Sequence, residues 1–248
     1  MQALGAAAVG LLVATSIVVG IRLLALHRRS GGAPELLLGL MLLLSVGAGY
    51  PLLIAANRAG PDAVRPLFIV STLCVNAGFA MLFAFTWRVF RPDAAWGRAL
   101  AGAGMLALLT NAALRCWDAA TGAEVRIAGE VLRESLLQGA PVLLAYLWTA
   151  WESLRYHGLM RRRLALGLAD PTVCDRFLLW GLMALFVAAG VTLNGVALWR
   201  QVDILTTPWV LLASSGTGLA QAILLVLAFV PPSSYLAWVR SRARVMEA

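Results

Sequence analysis

The side chains in this chain that could recognise another molecule are amides and hydroxyls set into hydrocarbon. Asn76, Asn111, Gln138, Asn194, Ser214 and Gln221 each interrupt a long apolar run, with Thr110, Thr192, Ser215 and Thr217 beside them. A polar group in an apolar medium must find a hydrogen-bonding partner, either on another helix or on a ligand. At about 1.5 Å rise per residue, Asn111, Gln138, Asn194 and Ser214 fall in the half of the runs away from the main arginine clusters, and Asn76 and Gln221 fall near mid-depth. These six outline a ligand-lined cavity opening on that side. The other use of the same groups is to join helices, at about 0.6 kcal/mol per contact.

No constellation for bond-making chemistry accompanies them, so the chain is expected not to be an enzyme. Ser214-Ser215-Gly216 is not a nucleophile elbow, and neither histidine, His27 or His157, lies at a depth to serve it as base. The histidines and the three cysteines form no CxxC or HExxH spacing, so no metal and no cofactor is expected. Cys74, Cys116 and Cys174 are read as buried free thiols. All 20 basic residues are arginine, and without lysine there is no Schiff base to a retinal-like aldehyde. Glu152, one turn before Arg155, reads as an interfacial ion pair, with a proton-linked switch as the alternative. Glu35 stands close in depth to Arg22, either as a partner to it or as a carboxylate at a helix N-terminus.

These groups need a scaffold, and the composition dictates which. Apolar residues make up 61% of the chain and charged residues 13%, against about 45–50% and about 25% in soluble domains. The mean hydropathy is +0.83. No single soluble core hides that much apolar surface, so lipid must be part of the solvent. The formal charge of +8 is then explained by arginines held at an anionic membrane surface, and nucleic acid is not an expected partner.

Seven runs are long enough to cross about 30 Å of hydrocarbon: 3–26, 34–56, 66–90, 96–117, 136–156, 173–199 and 208–230. The first has no basic residue before it and His27-Arg28-Arg29 after it, the reverse of a cleavable leader. Gly60-Pro61-Asp62 marks a turn before the third run. Gly102 and Gly104 suit close helix approach in the fourth. Gly139 and Pro141 should bend the fifth, which should continue inward through the arginine segment, and Asp170-Pro171 should start the sixth. The segment from Glu124 to the fifth run has helical spacing, with an Arg126–Glu130 pair.

Arginine at the bilayer centre costs about 2.5–3.5 kcal/mol and clusters on the cytoplasmic side. The cluster Arg161-Arg162-Arg163, with Arg240, Arg242 and Arg244 in the tail, therefore puts the C-terminus inside and the N-terminus outside. The expected fold is an all-α, seven-helix membrane bundle over 1–232 in the cell (cytoplasmic) membrane, followed by an interfacial amphipathic helix over 233–248. Arg161, Arg162, Arg163, Arg240 and Arg242 would contact lipid or a cytoplasmic protein partner.

Pro232-Ser233-Ser234-Tyr235, followed by a basic amphipathic segment, resembles the PxxY motif and eighth helix of class A G-protein-coupled receptors over about a dozen residues. Pro231 stands where that motif has Asn or Asp, and Arg88 lacks the acidic neighbour. The likeness is read as convergence between a helix stop and an interfacial helix. The functional expectation is a bacterial-type receptor or sensor for a small neutral or amphipathic ligand. The alternatives are a transporter, channel or lipid-handling protein, or a structural subunit of a membrane complex.

Overall fold

The computed structural model describes residues 2–121, 135–202 and 207–247, and among these the only regular structure is helical. The helices are α1 (Gln2–Ser30), α2 (Ala33–Ala56), α3 (Pro61–Phe90), α4 (Ala95–Thr121), α5 (Ala140–Leu164, preceded by a wide turn at Ser135–Gly139), α6 (Pro171–Trp199), α7 (Pro208–Phe229) and α8 (Ser233–Glu247). The expected Arg126–Glu130 helix lies outside the described residues.

Six helices, α1–α4, α6 and α7, are long and apolar enough to cross a membrane. α5 falls short because it carries Glu152, Arg155, His157 and three arginines. Large apolar side chains face outward at mid-helix, such as Leu109 at 66% and Trp151 at 69% exposure. Surface of that kind fits a multi-pass membrane protein, in which lipid covers it.

Neighbouring helices pack in chain order, and α1 packs against α7 to close the ring. α3 is the hub. Its Phe79 meets Tyr146 edge-on at 6.1 Å, Phe83 lies 6.4 Å from Trp148, Phe85 meets Trp180 at 6.1 Å, and Phe90 meets Tyr156 at 5.1 Å. Aromatic pairs of this geometry contribute about 0.5–1.5 kcal/mol each beyond their buried area. Two glycines let backbones close in. A Cβ at Gly78 would strike the α2 backbone at Ser45, and one at Gly104 would enter the Phe83 ring. Gly102, expected to act like Gly104, faces open space.

Helix starts follow the backbone rules. Gly60 caps α3 with Pro61 at its first turn, so the helix begins earlier than the expected 66 and includes Pro66. Asp170 caps α6, accepting a hydrogen bond from the Thr172 N–H at 2.7 Å. α2 widens to π-helical spacing over Leu42–Gly49, as does the Ser135–Gly139 turn before α5. Both end in Gly-x-Pro, Gly49-Tyr50-Pro51 and Gly139-Ala140-Pro141. Proline lacks the N–H that the preceding turn needs, so the hydrogen-bond ladder is broken there and the turn widens. In α2, the Ser71 hydroxyl donates to the Gly49 carbonyl at 2.9 Å. Pro231 and Pro232 separate α7 from α8, and α5 runs without a break to Leu164, so Arg161–Arg163 stand on its last turn.

Candidate functional site

The bundle has two unlike ends. At one, three amides from α3, α4 and the turn before α5 meet. Asn111 Nδ2 donates to Asn76 Oδ1 at 3.3 Å and to Gln138 Oε1 at 3.2 Å, and Asn76 Nδ2 donates to the Thr72 carbonyl at 2.8 Å. Asn111 is 1% exposed. Both of its amide hydrogens are used on its neighbours, which leaves it no donor for a ligand. Asn194 and Ser214 do not join them: Ser214 Oγ donates to Asn194 Oδ1 at 3.3 Å on the exposed seam between α6 and α7. Gln221 is half-buried near Gly190 and Thr217. The six sequence-nominated residues therefore form two separate groups plus Gln221.

Below the amides, the Phe79–Tyr146 and Phe83–Trp148 pairs form an aromatic layer. Past it, the Thr86 and Thr149 hydroxyls join α3 to α5 at 2.7 Å. Next, Arg91 Nε donates to Glu152 Oε1 at 2.6 Å, and Arg155 reaches Oε2 at 3.3 Å. Glu152 is wholly buried, and Arg91 also lies over the Trp96 ring at 5.3 Å. The expected Arg155 contact is the longer and more exposed of the two. Sequence reasoning misses Arg91 as a partner because it is distant in the chain and belongs to a turn.

The other end, where α1, α3, α5 and α7 finish, holds a half-open cleft of about 300 Å³. None of the six amide and hydroxyl residues lines it, so this cleft lies opposite the cavity expected from them. Its walls are Leu, Val, Phe and Trp side chains of α1, α2, α3, α6 and α7. Arg22, Glu35 and Arg176 are its charged groups. Arg22 and Arg176 are exposed, and no ion pair joins either to Glu35 among the described residues. Glu35 instead folds over Gly32 at the start of α2, where a Cβ would collide with it. Its Oε2 is buried without a hydrogen-bond partner. Trp180, 4% exposed, lines the cleft with its indole N–H unpartnered. The sequence marked Arg22 and Glu35 as close in depth, but carried no signal for Arg176 or Trp180.

Beside the cleft, α8 is tied to α6. The Tyr235 hydroxyl donates to Asp175 Oδ2 at 2.6 Å, and Val239 is buried. Burial, then the hydrogen bond to Asp175 and the charge of that carboxylate, push the Tyr235 hydroxyl above the ordinary tyrosine pKa. Arg240 and Arg242 are exposed on α8, with Arg242 over the Trp238 ring at 5.4 Å. Arg161, Arg162 and Arg163 are exposed at the end of α5. Of the thiols, Cys174 is buried, with Sγ 3.5 Å from His157 Nδ1, whereas Cys74 and Cys116 are only partly covered because they sit on helix flanks. No three His, Cys, Asp or Glu side chains gather for a metal among the described residues.

No protein-family model, curated protein or solved structure matches this chain.

Proposed function

We propose that the chain is a seven-span receptor or sensor of the cell membrane, with the N-terminus outside, the C-terminus in the cytoplasm and α5 as the seventh span. Its ligand is amphipathic and occupies the cleft at the arginine end. Occupancy is passed to α8 and to the arginines ending α5, which face anionic lipid or a cytoplasmic protein. One observation carries this reading: consecutive residues of α6 serve the cleft and the tether, Arg176 lining the one and Asp175 holding Tyr235 in the other. A ligand that draws on Arg176 acts on the turn that fastens α8.

α5 is the most polar of the seven runs, yet the polar groups at its middle are covered. Glu152, Thr149 and Ser153 are buried, so lipid does not meet them, and charged groups inside a membrane face the bundle in this way. Transport is less well supported, because the Phe79–Tyr146 and Phe83–Trp148 layer stands between the amide cluster and the polar groups of the other end.

The test is a distance measurement by paired spin labels. Labels go on Arg162→Cys and Ser241→Cys in a variant with Cys74, Cys116 and Cys174 replaced by Ala or Ser. Single-chain amphiphiles with anionic, zwitterionic and uncharged heads are titrated in. At least one should change the α5-to-α8 distance, and Val89→Trp, which fills the cleft, should abolish the change. If no head class moves α8, the sensing reading is wrong.

A further inference from the structure

The polar groups of the cleft specify more than an amphiphile. Its charged lining is two guanidinium groups and one carboxylate, and its other walls are hydrocarbon. The donors are Arg22 and Arg176. The acceptor is the half-buried carboxylate of Glu35, which no ion pair joins to either arginine among the described residues. A carboxylate beside hydrocarbon with no counter-charge is costly. An anion alone would satisfy the arginines and aggravate Glu35. A cation alone would do the reverse. A head carrying both charges satisfies all three.

Resting on the cleft reading above, the geometry points to a phospholipid whose head joins a phosphate to a primary ammonium as the occupant. The phosphate takes the Arg22 and Arg176 guanidinium groups, which suit phosphate oxygens through their planar donor forks. The ammonium donates to the Glu35 carboxylate. The volume of about 300 Å³ is at the low end for ligand pockets, so the cleft takes the head and the first part of one chain and leaves the rest of the chain in the bilayer. That chain comes from the bilayer, because the rim residues Leu26 and Val173 are 47% and 39% exposed and lipid reaches them directly.

Binding of lysophosphatidylethanolamine and lysophosphatidylcholine of equal chain length to the full chain in detergent tests this, for example by isothermal calorimetry. The two lipids differ only in whether the ammonium carries hydrogens or methyl groups, so the wild-type protein alone separates the outcomes. The ethanolamine lipid should bind at least tenfold tighter. Glu35→Gln should erase that preference, and Arg22→Gln and Arg176→Gln should weaken both lipids alike. Equal affinity for the two lipids overturns the head assignment while leaving an amphiphile in the cleft. Tighter binding by Glu35→Gln also overturns it, since that is the response to a plain anion. Free O-phosphoethanolamine binding as tightly as the lipid overturns the bilayer source. If neither lipid binds, this assignment falls, and the anionic and uncharged amphiphiles of the spin-label titration decide whether the cleft reading falls with it. Selective binding with no movement of α8 leaves this assignment standing and removes the sensing reading.

Discussion

The two ends of this bundle spend their polar groups in opposite ways. At the amide end, Asn76, Asn111 and Gln138 bond to one another and leave little for a guest. At the arginine end, Arg22, Arg176 and Glu35 line a cleft, and no ion pair joins either arginine to the carboxylate among the described residues. The end with the richer set of neutral polar residues is the better sealed. Polar content measures how many hydrogen bonds a region can make. Availability depends on whether those groups can reach each other, and three amides on adjoining helices can.

The comparison breaks first, and most severely, at the boundary between the two regions. Arg91→Ala should destabilise the protein by about 3 kcal/mol, the scale for stripping a partner from a buried charge. Arg155, on the same carboxylate, has a side chain 45% exposed against 26% for Arg91. Arg155→Ala should cost under about 1 kcal/mol, because solvent screens it. Unfolding in a graded denaturing detergent would rank the two, and equal costs would mean that Arg91 is not the principal partner of Glu152.

A smaller effect sharpens the contrast at the amide end. Asn111→Leu strands the buried Asn76 Oδ1 and the partly buried Gln138 Oε1 and should cost about 1–2 kcal/mol. Asn194→Leu, on the exposed seam, should cost about 0.6 kcal/mol or less. Neither should change amphiphile affinity. A loss of binding in Asn111→Leu would place the ligand at the wrong end for the present reading.

The smallest effect concerns α8. Tyr235→Phe removes one hydrogen bond to Asp175 and should loosen α8 by about 1 kcal/mol, read as faster amide exchange over 233–242. Because folding raises the Tyr235 pKa above its ordinary value of 10.0, the tether is fully present below that value. It is lost as pH rises through the higher folded value. Wild-type α8 should therefore stay docked through neutral pH and release only in strong alkali, whereas exchange in Tyr235→Phe should show no such step. Release of the wild type near neutral pH would contradict the buried geometry of this hydroxyl.

Much of the scaffold was legible because a hydrocarbon-crossing helix is a long-range signal carried by every residue in it. The expected runs 208–230 and 173–199 match α7 and α6 to within two residues. The start of α3 and the ends of α1 and α4 depart outward, since backbone hydrogen bonding does not stop where the apolar residues do, and α5 continues through the arginine segment as expected. The wide turn in α2 was not anticipated, although Gly49-Tyr50-Pro51 repeats the spacing of Gly139-Ala140-Pro141. The site was less legible. Depth can be counted along a helix, and it put Asn111 and Gln138 in one half of the bundle with Asn76 near mid-depth, close enough for the three to meet. It says little about rotation, and rotation sent Asn194 and Ser214 to an outer seam and turned Arg176 to the cleft.

The pairing of Arg91 with the buried Glu152 also bears on how the protein is made. A segment bearing a carboxylate and several guanidinium groups partitions poorly into oil by itself. As the seventh span, α5 would need α3 already waiting beside the insertion channel, with Arg91 ready to take the charge. Synthesis would then be ordered: a chain whose third hydrophobic segment is deleted should leave residues 140–164 outside the bilayer, as glycan-acceptor mapping of the nascent polypeptide would reveal.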